Sequence, residues 1–244
     1  MNGRDLTLGA LAGLTVAGLV AQRRGSRDME TASLTRGVLR LPGQAPIKVK
    51  KLGAGAFATA YVTTQMTPPV VYVFTPDDVY DKELLAMARD AEPQNPHLPK
   101  VEKVGETRDQ FIYAMPLYRT PLRKADSPSG WKDYAILKTC REDAYAHWDA
   151  RRGTGKRGYQ INEETVACAE AASVSASTLE ALHILVDTAA NYSDDYVFEF
   201  SPRNLATDDA GTLVLLDPLY DREKLQAKRL TQMRARAQRY GGSW

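Results

Sequence analysis

Cysteine and histidine are scarce in this chain of 244 residues, which holds two of the first and three of the second. Cys140 and Cys168 form no CxxC pair, and His97, His147 and His183 are scattered. A structural zinc site needs about four such ligands at close spacing, so none is expected. The two lone cysteines read as buried small hydrophobes in a reducing compartment, not as a disulfide or a nucleophile. No apolar run reaches the about 20 residues of a full membrane span. A dominant charge sign is missing as well. Lys+Arg number 32 and Asp+Glu 30, a net charge of +2, so bulk charge does not mark the whole molecule as a nucleic-acid binder. No internal repeat is found. What remains is an ordinary globular mix, 43% hydrophobic and 25% charged. It suffices for one domain of about 200 residues plus terminal extensions.

Residues 6–21 read LTLGALAGLTVAGLVA and are followed by Gln22, Arg23, Arg24, Gly25, Ser26 and Arg27. Gly9 and Gly13 make a GxxxG, which lets helices approach closely. Three readings stay open: a helix docked on protein, a short membrane anchor with its arginines on the cytoplasmic side, and a cleaved signal peptide. Residues 29–46 lack periodicity and hold Gly37, Pro42, Gly43 and Pro46, so they read as a linker.

From Ile47 the character changes. Ile47–Leu52 alternates as a strand should. A glycine turn follows, then strands at Ala60–Thr63 and Val70–Phe74, the last apolar enough to be buried on both faces. Asp81–Arg89 has the spacing of a helix, and Leu98–Val104 and Phe111–Leu117 read as two more strands. The rest is mostly helical. Helices are expected at Trp131–Arg151, Glu163–Ala172 and Thr178–Ala190, the last capped by Ser177. Arg152–Tyr159 reads as a basic loop. Tyr196–Phe200 and Leu213–Asp217 flank a hairpin-like turn at Asp208–Gly211. The final helix, Arg222–Tyr240, carries seven basic residues against one acid. Such a helix is a solvated face or an electrostatic contact with an acidic partner or nucleic acid. No aromatic stacking platform accompanies it.

Two segments carry chemistry. The first is Leu52-Gly53-Ala54-Gly55-Ala56-Phe57-Ala58-Thr59-Ala60-Tyr61, between two strands. Glycines let backbone amides come close to phosphate oxygens, and Phe57 can cover them. The second runs from Phe198-Glu199-Phe200-Ser201-Pro202-Arg203-Asn204-Leu205 to Leu215-Leu216-Asp217-Pro218-Leu219. It resembles the catalytic loop and metal-binding segment of protein kinases. Asp-Pro in place of Asp-Phe-Gly is similar to the early-gene protein kinases of short-tailed coliphages. Those share the Leu-Gly-x-Gly-x-Phe-x-x-Ala-Tyr loop and a basic helical tail. The resemblance spans residues 47–240 and is strongest at 52–61 and 198–219.

The resemblance implies an α+β, two-lobed fold. Its small antiparallel-sheet lobe would cover 47–118 and its helical lobe 119–221, with the basic helix at 222–244 and the apolar helix at 1–28 standing apart. It implies ATP and Mg²⁺ as cofactors. Gly53, Ala54, Gly55, Ala56 and Phe57 would cover the phosphates, and Met115, in the hinge Met115-Pro116-Leu117, would meet adenine. Asn204 and Asp217 would hold the metal. His97, after Asn95-Pro96, would serve structurally before the fourth strand. Glu199 stands where the family has a catalytic Asp, one methylene longer, and a misplacement of about 1 Å can cost about 10²-fold. The third strand should offer a lysine to the α- and β-phosphates, yet the aligned residues are Val71-Tyr72-Val73, so Val73 or a neighbour stands there. Glu83 matches that lysine's usual partner. Lys82 and Lys51 are cations that could substitute from another direction, and nothing in the sequence places either.

Other constellations are weaker. Gly153-Thr154-Gly155-Lys156 lacks the first glycine of a phosphate loop, since Ala150 stands there, and no strand precedes it. His183 lies among Leu182, Ile184 and Leu185 and reads as packed on its helix. Three functions follow as expectations. One is a nucleotide-binding phage protein on a kinase scaffold with weak or lost transfer to protein hydroxyls. The second is an active ATP- and Mg²⁺-dependent Ser/Thr protein kinase. The third is a virion-associated or host-binding structural protein on the same scaffold. The expected setting is the host cytoplasm or the virion, with membrane contact through residues 6–21 under the anchor reading. A protein is the expected partner or substrate.

Overall fold

The structure is a computed structural model. It describes residues 31–55, 57–76, 82–150, 158–193 and 195–239, excepting the side chains of 148–150, 236 and 239. The apolar segment 6–21 and the phosphate-loop-like residues 153–156 lie outside the described residues.

The fold is α+β, with a curled antiparallel sheet and five helices among the described residues. The sheet holds β1 (Ser33–Thr35), β2 (Val38–Arg40), β3 (Ile47–Ala54), β4 (Thr59–Thr63), β5 (Val70–Thr75), β6 (Glu102–Glu106) and β7 (Phe111–Pro116). Their order is β1-β2-β3-β4-β5-β7-β6. α1 (Lys82–Ala91) connects β5 to β6. The helical half comprises α2 (Pro128–Ala150), α3 (Gly158–Ala171) and α4 (Ala176–Ala190). Two short ladders follow. β8 (Tyr196–Phe198) pairs with β11 (Leu219–Asp221), and β9 (Ala206–Thr207) with β10 (Leu213–Val214). α5 (Arg222–Arg239) ends the described chain. Among the described residues no helix is long and apolar enough to cross a membrane.

β5 is buried along nearly its whole length, as an unbroken Val-Val-Tyr-Val-Phe run predicts. α1 turns Leu84, Leu85 and Ala88 inward, and each buried leucine contributes about 2–3 kcal/mol. One apolar cluster joins Val71, Val73 and Met115 of the sheet to Leu137 of α2, Leu182 and Leu185 of α4, and Phe198 and Leu215 beyond.

Several expectations are corrected. The segment read as a linker carries the β1–β2 hairpin, which extends the sheet and buries Leu39 and Leu41. Its two-residue turn puts both Arg36 and Gly37 at positive φ, 49° and 76°, the geometry that suits hairpin twist. Three-residue strands are too short to show alternation. The fourth strand begins at Glu102 and not at Leu98. The Arg89 guanidinium instead donates to the carbonyls of Asn95 and Leu98, and Pro99 has no N–H for a ladder. Tyr196–Phe200 and Leu213–Asp217 do not pair with each other, because each finds a different partner strand. α3 starts at Gly158, well before Glu163. Ser177 lies inside α4, whose N-cap is Ser175 with no side-chain cap bond. The Ser175 hydroxyl donates instead to Asp133 at 2.7 Å. His183 is exposed on α4. Finally, Cys140 and Cys168 form a disulfide between α2 and α3. These helices pack side by side, with the two Cα atoms 5.5 Å apart, within bonding reach. The bond removes the ground for reading these cysteines as the mark of a reducing compartment.

His97 ties the loop after α1 to the helical half. Its Nδ1 lies 2.8 Å from the Leu213 carbonyl and its Nε2 2.9 Å from the Ser177 hydroxyl. The carbonyl can only accept, so Nδ1 carries the proton and Nε2 accepts from Ser177. Burial holds the imidazole below its ordinary value, against the opposing pull of the Leu213 carbonyl, Asp133 and Asp208. The unfolded chain therefore takes up a proton near pH 6.5 that the folded chain refuses. The stability from neutral His97 is full above about pH 6.5 and is lost as pH falls toward the depressed folded value. Melting temperature should thus fall more steeply between pH 6.5 and 5 in the wild type than in His97→Gln. Parallel curves would refute this.

Candidate functional site

The glycine turn between β3 and β4 is closed by a bond from the Gly55 amide to the Ala58 carbonyl at 2.8 Å. Below it opens a cleft of about 680 Å³, within the size range of small-molecule sites. Its apolar wall is Ala60, Val71, Val73 and Met115, and its far side is the segment from Glu199 to Asn204 with Leu216 and Asp217.

Most residues singled out from sequence meet here. Gly53, Gly55, Phe57, Met115, Glu199, Asn204 and Asp217 all line this cleft. Ala54 is exposed on β3 and is not part of the lining, and Ala56 lies outside the described residues. Nothing in the protein's own packing demands glycine at position 53. A Cβ there would meet no atom within 4 Å, and its φ is not in the left-handed region. A close approach by something in the cleft remains as a physical reason for the missing side chain.

The polar side is held from behind. β8 is fixed by Asn162 of α3, whose amide donates to the Tyr196 carbonyl at 2.9 Å and accepts from the Phe198 amide at 2.9 Å. Arg141 of α2 donates to the Phe198 carbonyl at 3.1 Å. The next residue, Glu199, is half-buried and donates its amide to the Pro218 carbonyl at 2.7 Å. The Asp217 amide donates to the Asn204 carbonyl at 2.8 Å, which brings these two side chains, 13 residues apart in sequence, to one place. Asn204 Nδ2 is buried without a hydrogen-bond partner. A buried donor left unpaired costs about 1–3 kcal/mol, so its position in a cleft suits an acceptor brought by a ligand.

Lys82 and Lys51, the two cations that the sequence does not place, have different positions in the structure. Lys82, the first residue of α1, is buried at 4% exposure. Its Nζ pairs with Asp217 Oδ1 and donates to the Leu216 carbonyl at 2.9 Å. Lys51 is exposed on β3, and Glu83 is exposed beside Lys82. No pattern in the sequence marks Lys82, since a lysine opening an amphipathic helix normally faces water.

The outer end of the glycine turn touches α5. Phe57 packs against the apolar cluster that holds Leu225 of α5 and Ala144 of α2, and the Lys228 ammonium lies 4.6 Å from its ring centroid. The Tyr145 hydroxyl bonds that of Tyr220 at 3.0 Å, and burial pushes its titration well above the ordinary value. Among the described residues no group of three or more His, Cys, Asp or Glu could hold a metal unaided. Mg²⁺ does not require one, because it commonly keeps waters and takes one or two carboxylates plus substrate phosphates. The donors Asn204 and Asp217 fit such a site.

Neither the family models nor the curated proteins with which the chain was compared match it.

Proposed function

We propose that this cleft binds a nucleoside triphosphate with Mg²⁺ on a two-lobed, protein-kinase-like scaffold, and that transfer to protein hydroxyls is weak or lost. The observation that carries the reading is the convergence of a glycine turn, Asn204 and Asp217 on one cleft. The order β3-β4-β5-β7-β6 with α1 inserted before β6 supports it. So do the orphaned Asn204 amide and the open space at Gly53.

Bound Mg²⁺ would neutralise phosphate charge and orient the terminal phosphoryl group. Asn204 and Asp217 would hold it. Met115, Val71 and Val73 would cover one face of the base and exclude water. Glu199 would accept a hydrogen bond from an acceptor hydroxyl and orient it, from a carboxylate one methylene further out than an aspartate. Val73 in place of a lysine supports weak or lost transfer. The burial of Lys82 beside Asp217 favours the second reading, an active Ser/Thr protein kinase, which transfer of a labelled γ-phosphate to protein would reveal.

Thermal unfolding with ATP, with and without Mg²⁺, tests the proposal. At about 100 times its dissociation constant, MgATP should stabilise the wild type by about 2.7 kcal/mol. For a domain of this size that is a rise of about 5–10 °C. The Mg²⁺-dependent part should vanish in Asp217→Asn. No shift in the wild type would end the nucleotide reading.

A further inference from the structure

We infer that Lys82 supplies, from the first turn of α1, the positive charge that binds a nucleotide's phosphates in this cleft, in the place a lysine on β5 would otherwise take. This rests on the nucleotide reading above.

The placement of Lys82 is costly. An ammonium taken out of water must be paired, and Lys82 is 4% exposed. It also sits at the N-terminus of α1, where the helix dipole disfavours a cation. A lysine with no task at that position has only to rotate toward solvent to escape both penalties. It instead turns inward, onto Asp217 and the Leu216 carbonyl. That puts the ammonium against one of the two proposed metal ligands. A polyanion whose Mg²⁺ was held by Asp217 and Asn204 would therefore lie beside it.

The wall opposite is apolar. Val73 lines the same cleft from β5, paired with Ala60 and Tyr113 in the sheet. Lys51 is exposed on β3, and Lys228 lies over the outer ring of Phe57. Among the described residues Lys82 is the lysine that lines the cleft, and Arg203, on its far side, is the other basic residue of the lining. The dead-end alternative is that the Lys82–Asp217 pair only stabilises the fold. In that case its loss lowers melting temperature and leaves ligand affinity alone.

The experiment titrates MgATP and adenosine into wild type, Lys82→Met, and Lys82→Met combined with Val73→Lys. Loss of one charge-assisted hydrogen bond predicts about 10- to 100-fold weaker MgATP binding in Lys82→Met. Adenosine, which has no phosphate, should bind both proteins equally, and Val73→Lys should restore part of the MgATP affinity. Equal MgATP affinity in wild type and Lys82→Met would overturn the inference and leave the nucleotide reading standing. A wild type that binds neither ligand would overturn both.

If Lys82→Met fails to fold, an acyl-phosphate derivative of ATP tests the wild type directly. The lysine amine attacks the acyl carbon, a C–N bond forms, the acyl–O–phosphate bond breaks, and ATP leaves with loss of a proton from nitrogen. Peptide mapping should find the acyl group on Lys82, and excess ATP should suppress it. ATP-sensitive label on any other lysine, with none on Lys82, would overturn the inference.

Discussion

Replacing Asn162 by alanine should lower the stability of the fold by about 4 kcal/mol. The Asn162 side chain is 1% exposed and uses both ends of its amide on β8, donating to Tyr196 O and accepting from Phe198 N. Truncation leaves one buried carbonyl and one buried N–H without partners, and each such group costs about 1–3 kcal/mol. At about 2–4 °C per kcal/mol for a chain of this size, melting temperature should drop by roughly 8–16 °C. The effect reaches the cleft, because β8 ends one residue before Glu199. MgATP affinity should therefore fall as well, whereas a truncation remote from β8 would lower stability alone. Urea unfolding measures the first effect and titration the second. A loss below about 1 kcal/mol would mean that water replaces the Asn162 amide, and that β8 does not depend on it.

Reduction of the Cys140–Cys168 bond should cost about 3–4 kcal/mol, the chain-entropy value for a closed loop of 28 residues. Cys140 is 2% exposed, and the bond joins the adjacent faces of α2 and α3. Those helices carry Arg141 and Asn162, the two side chains that hold β8. Urea unfolding with and without a reductant checks this, and Cys140→Ser with Cys168→Ser should reproduce the reduced curve. Coincident curves would show that the helix packing alone sets the geometry.

Much of the sheet was legible in advance, for local reasons. Ile47–Leu52 alternates, and Val70–Phe74 is an unbroken β-branched and aromatic run, so both became strands where expected. The glycine turn was marked by its residue types, and Asn204 and Asp217 by the resemblance to protein kinases; all three line one cleft. The failures share a different cause. Two three-residue strands at 33–40 leave no periodic trace, and only their partner β3 makes them strands. The pairing of β8 with β11, whose register joins Phe198 to Leu219 at one end and Tyr196 to Asp221 at the other, depends on segments that do not see each other locally. The disulfide depends on how α2 and α3 dock.

The sequence alone therefore determined which segments alternate, which turn carries glycines, and which polar residues sit a fixed interval apart. These are properties of neighbours along the chain. Tertiary structure decided that Lys82, and not a residue of β5, brings a cation to Asp217. The reason is that a side chain's reach and burial depend on where its helix docks. The buried face of α1 includes its first residue only because Leu84, Leu85 and Ala88 seat that helix against the core.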